Sequence, residues 1–488
     1  MFFLGNYKEV VWNVAEMFRK QILSGTGKQY VLALLFLRYL SVNAKKGKVR
    51  KYILPEESRY DFLLSQNKAR NIGELLNTAL KAFTEANPKQ FSTNVFSEIS
   101  FIDPVFGTPE QRNALLSQAL VDLNAGSLEV GLLQAHYPGE SIEQFLAKYA
   151  ELEKQGVFFT PMPIIELIAK LALRNRGNSI YDPVCGTGTM LIKSCERRYS
   201  DTPISLYGQD LDPISLAIAT MNIIMHGNDA CDIRAGNTIT NPQFTKDART
   251  LQTFDCIVAC PPLALKDWTQ DPEHPKYRPE EDPFNRFSRG IPPVKRSDWA
   301  FLSHIIESLS ENGEAFVVVS EGTLYRTIIE DKIRKNIILE NLVHAVIALP
   351  QNMLYGSAVA SAIIVLKKKR NMKEILFIDT AHGVAREKYR NVLSYEAIND
   401  IFDVYSAFSD EKRIPESKYI TAKSIDSITV EVHKYTLQVS EYINDEKPQE
   451  WRSIESIRED ITHTEDALKQ QSKLIDELLK TLQKKAKQ

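Results

Sequence analysis

Residues 254–263, Phe-Asp-Cys-Ile-Val-Ala-Cys-Pro-Pro-Leu, join a strand-forming run to a rigid turn. The apolar and β-branched residues favour a buried strand, and the two prolines end it because they have no backbone N–H. Upstream, residues 181–189 read Tyr-Asp-Pro-Val-Cys-Gly-Thr-Gly-Thr, where another strand runs into a glycine turn. The two segments therefore predict two loops, each of which follows the end of a strand.

Short β-branched runs alternate with amphipathic helical patterns from about residue 141 to about residue 380. This alternation is typical of an α/β fold with a doubly wound, mostly parallel sheet, in which ligands bind outside the carboxyl ends of the strands. We therefore expect the two loops to share one crevice. The predicted strands are 179–182, 205–209, 230–235, 255–259, 314–320, 342–349, 360–366 and 375–379, and the predicted helices include 163–173, 213–226 and 299–309.

Both flanking regions are predicted to be helical, because apolar residues recur there at three- and four-residue spacing. We expect a helical N-terminal domain over 1–140, an α/β domain over 141–430 and a C-terminal helical, coiled-coil-like segment over 431–488. The last segment would pair with a helix of a partner or pack back onto its own domain. Its heptad positions are Ile454, Ile457, Ile461, Leu468, Ile475, Leu478 and Leu482.

Residues 267–297 are rich in Pro, Arg and Asp and show no periodicity. A loop of this length inside a compact domain is usually functional or disordered. Because the segment directly follows the Pro-Pro turn, it favours a lid that faces the substrate or a loop that contacts DNA. A disordered surface insertion is the alternative.

The composition is that of an ordinary globular protein, with 43% apolar residues, 25% charged residues and a formal charge of −2. It gives no overall polycationic signal, so any binding of nucleic acid would depend on a local basic patch or a partner. The five cysteines include no CxxC pair, and their odd number argues against a disulfide framework and favours a reducing cytoplasm. No targeting segment is recognisable, and the cysteines and histidines do not cluster at the spacing of metal ligands.

The glycine loop is suited to a cationic ligand. Gly186 and Gly188 permit a positive φ and a close approach of the backbone to a ligand. The loop lacks the Gly-Lys-Ser/Thr of a phosphate-binding loop. Asp182 at its head fits an amino group such as that of S-adenosylmethionine, and Asp210, at the end of the next strand, is placed to accept both hydroxyls of a ribose.

These loops and several further motifs, taken in order, resemble the modification (methyltransferase, HsdM-type) subunit of type I restriction–modification systems, an adenine-N6 DNA methyltransferase. The resemblance covers most of the chain. The motifs that carry it are 11–19 and 31–40 in the helical region, Val157-Phe158-Phe159-Thr160-Pro161, the glycine loop, Gln209-Asp210, Asp298-Trp299-Ala300-Phe301, and the segments 313–319, 332–335, 348–356 and 375–379.

The resemblance implies S-adenosyl-L-methionine as cofactor, no metal, and a cytoplasmic protein that does not bind a membrane. It further implies that the helical domain embraces double-stranded DNA. A separate specificity subunit would bind the C-terminal helix, and a second copy of the chain and a restriction (translocase/nuclease) subunit are the other expected partners. The cofactor-binding residues implied are Phe158, Phe159, Thr160, Pro161, Asp182, Val184, Cys185, Gly186, Gly188, Asp210 and Asn237.

The catalytic loop departs from the pattern of this family. The family reads Asn-Pro-Pro-Phe, whereas this chain has Cys260, Pro261, Pro262 and Leu263. In the family the Asn oxygen and the first proline's carbonyl accept hydrogen bonds from the adenine amine, and the aromatic ring stacks on the base. A thiol is a weak acceptor and leucine has no aromatic face. The family also more often has Asp at the position of Asn237, which is a milder change.

Two functional hypotheses therefore remain open. The first is an active adenine-N6 DNA methyltransferase subunit, and the second is a catalytically inactive subunit that binds DNA and partners as a scaffold. Methylation of RNA or of a protein glutamine is less consistent with the helical N-terminal region. Attack by Cys260 on a cytosine ring is also disfavoured, because cytosine-C5 methyltransferases have the order Pro-Cys, and Cys260 equally suits a small apolar residue at the end of a buried strand.

Overall fold

The computed structural model describes residues 2–22, 27–48, 51–91, 94–133, 137–152, 160–196, 203–228, 231–354, 359–386, 391–443 and residue 469. The N-terminal part of these ranges contains only helices and turns up to residue 152, and a sheet with flanking helices follows. The expectation of a helical region ahead of an α/β fold is therefore confirmed.

The helices are α1 (Phe2–Gln21), α2 (Lys28–Lys45), α3 (Tyr60–Ser65), α4 (Ile72–Ala86), α5 (Pro109–Asp122), α6 (Gly126–Leu132), α7 (Tyr137–Leu152), α8 (Met162–Ala172), α9 (Thr189–Glu196), α10 (Pro213–Met225), α11 (Asp298–Glu307), α12 (Ile329–Leu339), α13 (Tyr395–Ser409) and α14 (Ser427–Val432). The strands are β1 (Ser179–Asp182), β2 (Ser205–Asp210), β3 (Cys231–Ala235), β4 (Thr245–Asp247), β5 (Thr250–Leu251), β6 (Phe254–Ala259), β7 (Leu309–Ser320), β8 (Val343–Ala348), β9 (Ser361–Lys367), β10 (Ile375–Asp379), β11 (Val384–Arg386), β12 (Asn391–Leu393) and β13 (Thr421–Ile425).

The main sheet has the strand order β13-β10-β8-β9-β7-β6-β1-β2-β3. Strands β3, β2, β1, β6 and β7 are parallel neighbours. Strand β9 runs antiparallel to both β7 and β8, and β13 is antiparallel to β10. The predicted mostly parallel sheet is therefore confirmed, although the antiparallel direction of β9 and the edge strand β13 were not anticipated.

Helix α10 belongs to two hydrophobic cores. It begins at Asp212, whose carboxylate accepts hydrogen bonds from the amides of Ile214 and Ser215, as expected for an N-cap ahead of a proline. Its buried Ile218 and Met221 pack in the core formed by the N-terminal helices, whereas Ile223 packs in a core on the sheet. One helix thus joins the helical region to the α/β fold.

The segment 267–297 packs against the fold around Arg286, whose side chain is fully buried. The guanidinium donates to the carbonyls of Thr238 (3.1 Å) and Ile239 (2.7 Å) and pairs with the buried carboxylate of Asp282. The indole of Trp268 donates to the Pro293 carbonyl at 2.9 Å, which holds the two ends of the segment together. A segment without regular periodicity is therefore ordered by a buried cation together with packing and hydrogen bonds at its ends.

The heptad positions from 454 to 482 lie outside the described residues, so the C-terminal helix stays a prediction. The domain limits near residues 140 and 430 also stay predictions. Within the described ranges, no helix is both long enough and apolar enough to cross a membrane, and no group of three or more His, Cys, Asp or Glu side chains is placed to hold a metal ion.

We predict that Arg286→Ala destabilises the protein by about 3–5 kcal/mol, because it leaves two carbonyls without their donor and the buried Asp282 carboxylate without its cation, with only the backbone amide of residue 286 still donating to it. Urea denaturation followed by circular dichroism measures this loss. The control is Arg278→Ala, which removes an exposed arginine from the same segment and should leave the free energy of unfolding within about 0.5 kcal/mol of wild type. Equal stability of the two variants would show that Arg286 does not hold the segment.

Candidate active site

Three neighbouring strands deliver their loops to one edge of the sheet. Strand β1 pairs in parallel with β2 on one side and with β6 on the other. Their carboxyl ends are Asp182, Asp210 and Ala259. Because parallel strands end at the same edge, the glycine loop, the segment after β2 and the Pro-Pro turn converge there. The expectation that the two loops share one crevice is thereby confirmed.

The glycine loop is held by hydrogen bonds to the ends of β1 and β2. The amide of Val184 donates to Asp182 Oδ1 (2.9 Å), and that of Cys185 donates to the Gln209 carbonyl (2.9 Å). The amide of Gly186 donates to Asp210 Oδ2 (2.8 Å). Both loop glycines have positive φ, 51° at Gly186 and 77° at Gly188, as their residue type predicts.

The two carboxylates at this edge are unfavourably placed for their negative charge. Burial and the nearby Asp210 raise the pKa of Asp182 to about 8, although the Val184 amide partly offsets this. Burial likewise raises the pKa of Asp210, against the hydrogen bonds donated to it by the amides of Asp212 and Gly186. A cation bound at this edge would therefore stabilise the charged form of both acids.

Cys260 lies beside this pair of acids. Its side chain is half-buried, and burial raises the pKa of its thiol to about 11. The Thr160 hydroxyl hydrogen-bonds the thiol and lowers that pKa, whereas the charge of Asp182 raises it. The structure thus brings Thr160, Asp182 and Cys260 together. Pro161, which follows Thr160 in the chain, is buried and directly precedes α8.

Hydrogen bonds to Asp298, the first residue of α11, hold the Pro-Pro turn in place. One carboxylate oxygen of Asp298 accepts from the amide of Ala264 (3.2 Å), which has a positive φ of 53°. The other accepts from the amide and the hydroxyl of Ser320 at the end of β7. The Ser297 hydroxyl donates to the Pro262 carbonyl at 3.4 Å. Pro261 is buried, and Pro262 and Leu263 are half-buried.

The turn after β3 lies beside the glycine loop at the same edge of the sheet. The side-chain oxygen of Asn237 accepts from the amides of Ile239 (3.0 Å) and Thr240 (3.3 Å), so it caps its own turn. The Thr238 hydroxyl donates to the carbonyl of Pro183 in the glycine loop. Val184 packs where two hydrophobic clusters meet. Phe158 and Phe159 lie outside the described residues, so their role stays a prediction.

Two residues that shape the site were not identified as site residues from the sequence. Gln209 is fully buried; its amide donates to the carbonyls of Gly236 and Asn241, and its oxygen accepts from the amide of Gln243. It therefore ties the end of β2 to the turn after β3, much as Asp298 ties the Pro-Pro turn to β7. The sequence shows Asp298 only as an acid at the start of a helix and Gln209 only as a glutamine in a strand. Neither pattern is specific for a residue that supports a binding site.

Comparisons with known proteins match this arrangement. A family model described as N-6 DNA Methylase matches residues 134–451, and one described as HsdM N-terminal domain matches residues 7–123. The chain is 26% identical to the type I restriction enzyme MjaIX methylase subunit of Methanocaldococcus jannaschii, over 90% of this chain and 84% of that protein. It is 27% identical to the MpnII methylase subunit of Mycoplasma pneumoniae, over 94% of this chain and 93% of that protein.

A solved structure has the same fold. The type I restriction–modification methyltransferase subunit from Streptococcus thermophilus superposes with a TM-score of 0.74 at 22% identity, covering 90% of this chain and all of that one. The N-6 DNA Methylase model covers more than half of the chain and the HsdM model covers its N-terminal region, so the chain belongs to the N-6 DNA methylase family as an HsdM-type modification subunit of type I restriction–modification systems.

Proposed function

We propose that this chain binds S-adenosylmethionine at the edge formed by β1, β2 and β6 and transfers its methyl group to the N6 amine of adenine in DNA. The observation that carries the proposal is the meeting of Asp182, Asp210, Thr160 and the Cys260–Pro261 turn at one edge. The family supports the reaction class, and the geometry supports the assignment of residues.

The residues at this edge fit a ligand that is cationic at one end and carries a ribose at the other. S-adenosylmethionine supplies a methyl group on a positively charged sulfur, together with an ammonium group. Asp182 is buried and costly to ionise alone, so an ammonium beside it would stabilise its charged form. Asp210 already accepts two amide hydrogen bonds, but a carboxylate has about four acceptor positions and keeps capacity for ribose hydroxyls.

The remaining cofactor residues would shape the cleft around these two acids. Thr160 and Pro161 would form one wall, and Val184, Cys185, Gly186 and Gly188 would form its floor. Asn237 would face the adenine ring with its side-chain amide N–H groups, since its oxygen is engaged by the turn. Phe158 and Phe159 complete the proposed set.

The Pro-Pro turn would receive the target base. A base inside a duplex hides its reactive edge, so the adenine must leave the stack first. The carbonyl of Pro261 would accept one N6 hydrogen, and the Cys260 sulfur is a weak acceptor for the other. Leu263 would pack against the base without aromatic stacking, which is worth about 1–3 kcal/mol per base. Pro262 keeps the turn rigid.

A second candidate function follows from the same two positions. Losing one preorganised hydrogen bond in a transition state lowers the rate by about 10²–10³. With Cys260 and Leu263 in the turn, the chain would then bind cofactor, DNA and partners while transferring methyl groups too slowly to matter. By contrast, a cysteine nucleophile is disfavoured, because a reactive cysteine needs a lowered pKa and Cys260 has one raised to about 11.

The partners are proposed from the family. Double-stranded DNA would lie against the helical region, and a separate specificity subunit would read its sequence and bind the C-terminal helix. A second copy of the chain and a restriction subunit would complete the assembly. A cytoplasmic location is supported by the odd number of cysteines and the absence of a CxxC pair.

The first test combines calorimetric titration with S-adenosylmethionine and a methyl-transfer assay on genomic DNA with the cognate specificity subunit. Binding with transfer is the expected result and supports the enzyme. Binding without transfer favours the inactive subunit, and the absence of both would contradict the cofactor site itself.

We predict that Asp182→Asn makes the ligand-free protein more stable at high pH. The pKa of Asp182 rises from 3.8 when unfolded to about 8 when folded. Between these values the folded chain holds one more proton than the unfolded chain, so this group lowers stability as pH rises through the window. The variant should therefore unfold at a higher temperature than wild type at pH 8, and the difference should vanish near pH 4.

The same variant should bind S-adenosylmethionine at least about tenfold more weakly, because a charge-assisted hydrogen bond is worth about 1.5–3 kcal/mol. Thermal unfolding across pH and calorimetric titration measure the two effects. The control is Asp267→Asn, which neutralises an exposed acid beyond the Pro-Pro turn and should change neither. A variant that is less stable at pH 8 and binds normally would contradict the role of Asp182.

We further predict that Cys260→Asn combined with Leu263→Phe raises the methyl-transfer rate by about 10²-fold or more, since it restores an amide acceptor and an aromatic face. The affinity for S-adenosylmethionine should stay within about twofold of wild type. Transfer is measured in the complex with the specificity subunit. Cys260→Ala is the control, because it removes the thiol without supplying an acceptor and should give no gain. No gain in the double variant, with cofactor and DNA binding intact, would count against the assigned role of the turn.

A further inference from the structure

A buried carboxylate from the helical region reaches the cofactor loop. Glu143 lies on α7, is only 3% exposed, and accepts a hydrogen bond from the side-chain amide of Asn222 on α10 at 2.9 Å. Its other carboxylate oxygen, Oε2, is buried and has no hydrogen-bond partner among the described residues, although Thr189, which follows the glycine loop and begins α9, lies close enough to lower the pKa of Glu143. Asn222 and Thr189 both adjoin the glycine loop.

The bonds of these partners continue into the loop itself. The side-chain amide of Asn222 also donates to the carbonyl of Thr187 at 3.0 Å. The hydroxyls of Thr187 and Thr189 lie 3.1 Å apart and share a hydrogen bond. Glu143 thus orients the side-chain amide of Asn222, and Asn222 in turn holds the backbone carbonyl of Thr187, which lies between the two loop glycines.

Helix α7 is packed too closely on the end of α10 to shift without disturbing this network. A Cβ atom at Gly139 would lie 2.3 Å from the ring of His226, so α7 comes closer to that ring than any residue with a side chain would allow. Because α10 contributes to both the helical core and a sheet core, packed side chains connect α7 to the elements that carry the loop.

The surroundings of Glu143 bring the pKa of its carboxyl group close to neutral pH. Burial raises the pKa of Glu143 to about 7, while the neighbouring Asn222 and Thr189 side chains oppose the rise. Two charged groups face it from α9: Lys193 lowers this pKa and Glu196 raises it. His226, at the end of α10, pairs with Glu196 at 3.6 Å.

We propose that Glu143 is a positioning residue for the cofactor loop, so that the affinity for S-adenosylmethionine depends on a carboxylate contributed by the helical region. The inference rests on the cofactor site proposed above. The ionised carboxylate accepts the hydrogen bond from the Asn222 amide more strongly than the protonated form does, because hydrogen bonds to a charged acceptor are the stronger ones. Affinity should therefore be higher when Glu143 is charged.

The test is calorimetric titration of the full-length chain with S-adenosylmethionine. Glu143→Ala should weaken binding about tenfold, and Asn222→Ala by a similar factor. The double variant should be little weaker than either single variant, because both remove one network. Gln144→Ala, an exposed position next to Glu143 on the same helix, is the matched control and should bind as wild type does.

A pH series separates positioning from a purely structural role. In the wild type, affinity should rise between pH 6 and pH 8, with contributions from Glu143 near 7 and from Asp182 near 8. Glu143→Gln keeps the shape and an acceptor for Asn222 but cannot ionise, so the part of the rise near pH 7 should disappear. This variant also serves if Glu143→Ala does not fold.

The outcomes are distinguishable from those of the proposed function. A wild type that does not bind S-adenosylmethionine overturns both proposals. Normal binding by wild type, together with Glu143 variants that bind within twofold of it and keep its pH profile, overturns only the positioning role. Additive losses in the double variant would also overturn it, because they would place Glu143 and Asn222 in independent networks.

Discussion

The parallel pairing of β1 with both β2 and β6 constrains the whole active edge, because it fixes the side of the sheet to which three loops are delivered. Parallel strands need long crossovers, and helices α9 and α10 provide them on the glycine-loop side. Once β1 is central, Asp182 and Asp210 must end side by side. Their mutual repulsion is thus a consequence of topology, and the loop amides that donate to them are the local compensation.

This arrangement trades stability for recognition. Two buried acids whose charged forms are disfavoured make the ligand-free edge less stable at neutral pH than an apolar edge would be. In the proposed complex the cofactor ammonium would pair with Asp182 and the ribose hydroxyls would donate to Asp210, which would offset the cost of burying both charges. The hydrogen bonds from Val184 and Gly186 keep the loop in place in the meantime, so the edge is preorganised rather than assembled on binding.

The sequence predicted the elements that depend on local pattern. Strands β1 and β10 begin and end at the residues expected, because short apolar runs bounded by turn residues mark buried strands clearly. The direction of β9 was not predictable, since an apolar run fixes burial and not polarity. Arg286 and Glu143 were missed for a related reason: single charged residues are usually exposed, and only tertiary packing shows which ones are buried.

The Pro-Pro turn shows why the residue at position 260 can change without loss of the fold. Its shape is set by the prolines and by Asp298, which bonds Ala264 on one side and Ser320 on the other. Position 260 contributes a half-buried side chain at the end of a core strand, and a small apolar thiol suits that environment. An asparagine there would serve the reaction but would place an extra amide in a largely apolar setting. The fold is therefore indifferent to, or slightly favours, the cysteine, and only the demands of methyl transfer would favour asparagine.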